Sequence, residues 1–342
     1  MEYEGRYKAF DATQVRTYPL RTRSNKVTYD ELVLAEDLRT FAPELAEQVQ
    51  EQIRTVAREI VDARREGKPV ILFTGAHLIK NGLGPLVVNL VNQGLVTLVA
   101  GNGATGIHDF ELALIGETSE NVPAGLDKGQ FGMAHEFGYI NMALAVGNQQ
   151  KLGFGETLGR MICDEAFCRQ IVALAAGEDP VREFRHPEVS VLAACYRQGV
   201  PFTIHAGIGT DVIDQHASFD GQAKGGCSGR DFLIYANEIT KLTSGGVVLN
   251  IGSAVTGPEV LLKAVSMAAN VGSVPRGILT ADFDVREHDP RQMNDESAPC
   301  YYFRDQKSVV TRIPQAVGGR GLYIRGDQKQ TFPFLYKQIM EV

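Results

Sequence analysis

Residues 69–114 read PVILFTGAHLIKNGLGPLVVNLVNQGLVTLVAGNGATGIHDFELAL. Two apolar runs, Pro69–Phe73 and Leu95–Ala100, each break at glycine and pass into a stretch with helical spacing. Continuous Val, Ile and Leu without polar alternation is the pattern of strands buried on both faces. The second run opens into Gly101-Asn-Gly-Ala-Thr-Gly106, which fits G-x-G-x-x-G between a strand and a helix. In that context glycines let a backbone approach a pyrophosphate, and the helix start offers N–H donors and a positive dipole end. The acid at the usual offset of about 20 residues is Glu120, which lies in a polar stretch. A tight strand-to-helix turn without ligand is the competing reading.

Working outward, the same signature recurs. Val200–Ile204 precedes HAGIGTD, Gly246–Leu249 precedes NIGSAVTG, Gly277–Leu279 precedes TADFD, and Gly321–Ile324 precedes RGDQ. Strands alternating with helices predict an α/β fold with a doubly wound, mostly parallel, Rossmann-like sheet and helices on both faces. Residues 1–37 are polar and aperiodic and read as an arm. Residues 38–342 read as one dinucleotide-binding domain, opening on an amphipathic helix over 38–65. Two irregular segments, 116–160 and 282–320, break the rhythm, and the first reads as an insertion with its own short elements.

Composition narrows the function classes. The chain has 342 residues, 44% hydrophobic and 22% charged, with net charge -7 and mean hydropathy -0.10. No stretch concentrates Lys and Arg as a phosphate-tracking surface requires, so nucleic acid is excluded as an expected partner and a small cation is favoured. The five cysteines are scattered without a C-x-x-C pair, which points away from a disulfide framework and a zinc site. No histidine pair has metal-ligand spacing with a suitable acid, so no metal site is expected. No apolar run approaches the roughly 20 residues that span a bilayer, and the expected location is cytoplasmic. Cys227 in KGGCSGRD reads as a buried or loop thiol, since no base is fixed beside it.

The order of these segments resembles the deoxyhypusine synthases. The 69–114 stretch is similar to that family's first dinucleotide-binding half, and GYINMALAVGNQQ (138–150) to its segment before a long helix. VPFTIHAGIGTD (200–211), GGVVLNIGSAVTG (245–257), GILTADFD (277–284) and GLYIRGDQKQTFPFLYKQIM (321–340) are similar to successive strand ends of the family. The resemblance covers roughly residues 40–340 through loose motifs. It implies NAD as cofactor, a polyamine such as spermidine as substrate, oxidation to an imine followed by aminoalkyl transfer, and a homotetramer.

Carried across, the family's cofactor contacts fall on His77, Asn81, Asn102, Gly103, Ala104, Asp211, Thr280, Ala281 and Asp327, with Ala76-His77 where the family has Ser-Asn. The acid-rich run from Asp282 to Glu296 follows a strand end, where ligands bind in open α/β sheets. Asp214, His288, Asp289, Asp295 and Tyr302 are the candidate substrate contacts, Glu296 a candidate catalytic acid and His108 a candidate base. A solvated acidic loop is the competing reading. Where the family has its nucleophilic lysine this chain has Arg304, with Lys307 three positions later. A guanidinium stays protonated and cannot form an imine, whereas a desolvated lysine can. Two alternatives therefore stand beside an amine-oxidising enzyme. One is a non-catalytic NAD-binding scaffold, the other a dinucleotide enzyme whose anionic substrate is held by Arg304.

Overall fold

The computed structural model describes residues 3–174, 180–287, 292–293 and 295–342. Among these residues eight strands form: β1 (Asn25–Thr28), β2 (Val70–Thr74), β3 (Leu98–Asn102), β4 (Glu117–Glu120), β5 (Phe202–His205), β6 (Val247–Ile251), β7 (Leu279–Asp284) and β8 (Arg320–Arg325). Six of them make one sheet in the order β5-β3-β2-β6-β7-β8, every neighbouring pair parallel. Counted from β2, this is the order 3-2-1-4-5-6 of the dinucleotide-binding α/β fold. The chain moves outward from β2 to β5, then returns to start the other half at β6. The switch point therefore lies between the C-terminal ends of β2 and β6.

Alternation along each strand divides two cores. Val70, Leu72, Val99, Val247, Leu249 and Ile251 face one layer. Ile71, Phe73, Leu98, Ala100 and Val248 face the other. The first layer is covered by the helices Glu47–Arg65, Gly84–Asn92, Gly103–Ile115 and Gln328–Glu341, the second by Gly221–Thr240 and Thr256–Asn270. Burial on both faces is why the strands carry no polar alternation.

The extent of the first helix and the irregularity of 282–320 differ from expectation. The first helix begins at Glu47, because the chain ahead of it runs through a 3₁₀ segment, Ala35–Thr40, and Pro43. The arm is held to the body, since β1 pairs antiparallel with β4 and Leu20 is fully buried. Segment 116–160 is mostly regular. It contains β4 and the helix Phe137–Gln149, which packs on Gly221–Thr240. Gly147 within that helix is a packing residue, since a Cβ there would lie 2.3 Å from Thr157 Oγ1. Likewise, 282–320 contains a π-helical stretch, Gln306–Arg312, continued by Ile313–Val317. Among the described residues, no helix is long and apolar enough to cross a membrane.

Candidate functional site

The glycines of GNGATG are accounted for first by the chain itself. Asn102 ends β3 and caps the next helix, its Oδ1 accepting from Thr105 N at 2.9 Å and from Thr105 Oγ1 at 2.9 Å. A Cβ at Gly101 would lie 2.8 Å from Thr105, and one at Gly106 2.5 Å from Ile204 on β5. At Gly103 it would lie 2.1 Å from Asp211 Oδ2. A carboxylate of this chain thus sits against the start of the helix, where the motif alone would place a phosphate.

Asp211 does not stand alone. Lys224 Nζ donates to Asp211 Oδ2 at 2.8 Å, to Asp214 Oδ1 at 2.6 Å and to Gly207 O at 2.7 Å, with Lys224 only 1% exposed. Burial pushes the Asp211 carboxyl up, against the pull of Lys224. Asp214, expected to meet substrate, is committed to this lysine and to Gly209 N at 2.7 Å. Removing two carboxylates and an ammonium from water holds only with such complete pairing.

Asp211, Lys224 and Gly207 wall a cavity of 620 Å³ over the ends of β3 and β5, lined also by Ala104, His205, Gly225, Gly229, Phe232 and Thr256. That volume lies within the range of ligand pockets, roughly 300–1,000 Å³. His205 is buried against Phe73, ring centroids 5.5 Å apart, and burial lowers its pKa to about 4. A second cavity of 240 Å³ shares Ala104, Thr210 and Asp211 with the first.

The smaller cavity contains His108, whose side chain is 19% exposed. His108 Nδ1 lies 2.7 Å from Thr118 Oγ1 and 3.3 Å from Glu111 Oε2. The Thr118 hydroxyl donates to Glu111, so its oxygen accepts the Nδ1 proton. In the neutral ring, Nε2 then keeps the lone pair. Glu111 is fully buried, which alone would raise its pKa, but His108 and Arg23 outweigh this and hold it low. Arg23, from the arm, pairs with Glu111 and, at 3.3 Å, with Glu120. Burial raises the Glu120 pKa despite Arg23. Ser119, in the same wall, has φ 70 without being glycine, a conformation retained where neighbours over-determine it and frequent at functional sites.

The other expected cofactor contacts divide. His77 begins the helical turn His77–Lys80 after β2 and is exposed; partial burial, then Lys80 and His108, lower its pKa. Asn81 Nδ2 donates to Gln328 Oε1 at 2.8 Å, tying the loop after β2 to the last helix. Asp327 is exposed and caps that helix through Lys329 N at 2.8 Å. Thr280 and Ala281 are corrected: both are buried within β7, paired beside Val248 and Leu249, short of the strand's C-terminal end. Thr280 Oγ1 instead donates to Val309 O at 2.5 Å.

The described residues of the expected substrate segment line neither cavity. His288 and Asp289 lie outside the described residues. Asp295 and Glu296 are exposed, Asp295 Oδ1 accepting from Ser297 N at 2.9 Å and Glu296 Oε1 from Tyr301 OH at 3.2 Å. Tyr302 is 68% exposed. The Arg304 side chain is 58% exposed, 3.8 Å from Glu259, and lines neither cavity. Lys307 is buried with Nζ 3.3 Å above the Tyr301 ring, also outside both cavities. Burial and the guanidiniums of Arg312 and Arg304 lower its pKa. Cys227 is a buried thiol donating to Leu144 O at 3.6 Å. Arg23, Glu111, Thr118 and Lys224 were not singled out from sequence. The helical spacing of His108 and Glu111 was the one signal available.

Comparison with known proteins finds no matching family model and no matching curated protein. Solved structures give distant likenesses. ArgZ, an arginine dihydrolase from the ornithine-ammonia cycle in Cyanobacteria, matches at 16% identity and TM-score 0.46, over 88% of this chain and 33% of that one. The ternary complex of AgrE with ornithine and NAD+ matches at 15% identity and TM-score 0.47, over 90% and 35%. A protein from Entamoeba histolytica, assigned as a deoxyhypusine synthase, matches at 8% identity and TM-score 0.38, over 86% and 88%. The chain spans about a third of the length of the ArgZ and AgrE chains. Likenesses this distant carry no argument about activity, which rests on the chain's own geometry.

Proposed function

We propose that the chain is an NAD-dependent enzyme that oxidises a small amine to an imine at the C-terminal edge of its sheet. The observation that carries this reading is the pair Gly225 and Gly229. Both lie inside the helix Gly221–Thr240, where glycine costs about 0.5–1 kcal/mol relative to alanine. A Cβ at either position meets nothing within 4 Å, and both line the large cavity. Neighbours do not require these glycines, whereas Gly226 between them is pressed by Asn148 Oδ1 at 2.3 Å. Space kept open along a helix is space for a ligand.

The donor set fits a dinucleotide. Phe232 and His205 offer faces for flat rings, Asp211 at the Gly103 helix start an acceptor for ribose hydroxyls, and the helix start at Thr256 N–H donors for phosphate. NAD bound there supplies an acceptor for the hydride that leaves the carbon next to nitrogen. His108 Nε2, in the adjoining cavity that shares Ala104, Thr210 and Asp211 with the first, is the base this reading assigns to the proton that the nitrogen must lose for C=N to form. Thr118, Glu111 and Arg23 hold the ring for that transfer, acting through His108 without touching substrate. Glu120, costly to ionise where it is buried, favours an ammonium nearby. Within this reading spermidine or another polyamine is the substrate class, and water or a second amine completes the reaction at the imine carbon. Neither route needs a lysine in the cavity.

The test is incubation of pure protein with NAD and a panel of polyamines and simpler amines, following reduced-cofactor absorbance and amine products. Cofactor reduction with imine-derived products supports the reading. Thermal stabilisation by NAD without turnover on any amine replaces it with the scaffold reading.

A further inference from the structure

At the end of β7, outside both cavities, three carboxylates meet. Asp282, Asp284 and Asp305 each bring an oxygen within 4.8 Å of the other two. Asp282 and Asp305 are buried, and Asp284 is partly exposed. Among the described residues Arg286 is the one cation in contact, its guanidinium bridging Asp284 and Asp305 and stacked 4.3 Å from the Phe303 ring. Asn250 Nδ2 donates to Asp282 Oδ1 at 2.7 Å. After these contacts, Asp282 Oδ2 and Asp305 Oδ1 are buried without a hydrogen-bond partner among the described residues.

A buried carboxylate oxygen without a donor is costly, and more so when charged. Two such oxygens in one cluster call for a shared partner. Charge gives the same answer, because three carboxylates against one guanidinium leave two negative charges uncompensated. One proton leaves the cluster still charged, whereas a divalent ion closes the balance. All the donors are oxygens, without thiolate or imidazole, which suits hard ions such as Mg2+, Mn2+ or Ca2+ over zinc. A spread of up to 4.8 Å is also that of donors on opposite sides of an ion with metal–oxygen distances of about 2.3–2.6 Å.

We propose that Asp282, Asp284 and Asp305 form a binding site for one hard divalent cation, with Arg286 as its outer neighbour. The ion ties the end of β7 to the turn that opens the π-helical stretch Gln306–Arg312, at the ligand-binding edge of the sheet. Nothing in this assignment depends on NAD or on amine oxidation.

The probe is Mn2+ alone, titrated into the 342-residue chain without nucleotide, with free Mn2+ read by its paramagnetic resonance signal. The expected result is one site per chain, displaced by Ca2+. Asp282→Asn and Asp284→Asn should each weaken binding at least about tenfold, while Asp295→Asn, at an exposed acid away from the cluster, leaves it unchanged. Asp284 is partly exposed, so its variant keeps the test open if Asp282→Asn fails to fold. No Mn2+ retained at millimolar concentration, or equal affinity in wild type and both cluster variants, overturns the site. Uptake of a proton without Mn2+ binding overturns it equally.

Discussion

Lys224 Nζ lies 2.8 Å from Asp211 Oδ2, and the same carboxylate presses against Gly103 at the start of the helix after β3. The position a nucleotide fingerprint reserves for phosphate is thereby held by an internal anion with its own cation. The ion group walls the ligand cavity, and its integrity is a matter of stability as much as of binding.

Lys224→Met leaves Asp211 and Asp214 buried without their ammonium. The expected cost is about 3–5 kcal/mol, since breaking a buried pair strands a charge. Urea unfolding followed by circular dichroism measures it. Adding Asp211→Asn should recover part of the loss, and a cost below about 1 kcal/mol for the single variant contradicts this account of the wall.

His205 gives the fold an acid-sensitive element. Burial lowers its pKa from 6.5 to about 4, so the unfolded chain takes up this proton first as pH falls. The stability tied to the neutral ring is complete above pH 6.5, declines as pH falls from 6.5 to 4, and is gone below. Its size is about 3 kcal/mol, since each tenfold change in proton affinity is worth about 1.36 kcal/mol. His205→Phe should lose less stability than wild type between pH 7 and pH 4.5 in parallel thermal melts. Equal slopes contradict the assignment.

His108→Gln should lower the rate of amine oxidation by about 10²–10⁴, the usual contribution of a general base. Thr118→Val should lower it less, because Glu111 at 3.3 Å still orients the ring. NAD affinity should stay within about twofold in both. Steady-state rates alongside NAD titration separate the effects, and an unchanged rate in His108→Gln removes the histidine from the mechanism.

How far the sequence reaches can be followed residue by residue. β2, β3, β5 and β6 are legible as apolar runs leading into glycine-containing turns, because burial on both faces leaves each a continuous local signal, whereas β7 runs on into polar residues and the edge strand β8 is mostly half-buried or exposed. Thr280 and Ala281 show the limit, since β7 extends to Asp284 and carries its motif inside the strand. The helix Phe137–Gln149 is obscured by Gly138, Asn141, Gly147 and Asn148. Of these, Gly147 is set by its distance from Thr157 and not by its own helix. His108 is visible as a polar residue in the right helix. Arg23 and Thr118, which complete its setting, come from an aperiodic arm and from β4, and Lys224 sits in a glycine-rich helix start; only tertiary structure brings them together. The acidic run from Asp282 to Glu296 promised one site, but among its described members Asp282 and Asp284 cluster with Asp305, which lies beyond the run, while Glu287, Asp295 and Glu296 are exposed.

The central claim is that the face bearing Gly225 and Gly229 holds a dinucleotide. The direct measurement is NAD binding by calorimetry, with thermal melts, for wild type, Gly225→Leu and Gly229→Leu. Each leucine should leave the melting temperature equal or higher, since it improves the helix by roughly 0.8–1 kcal/mol, while abolishing the NAD binding seen in wild type. A wild type indifferent to NAD, or leucine variants that bind it as tightly, contradicts the account.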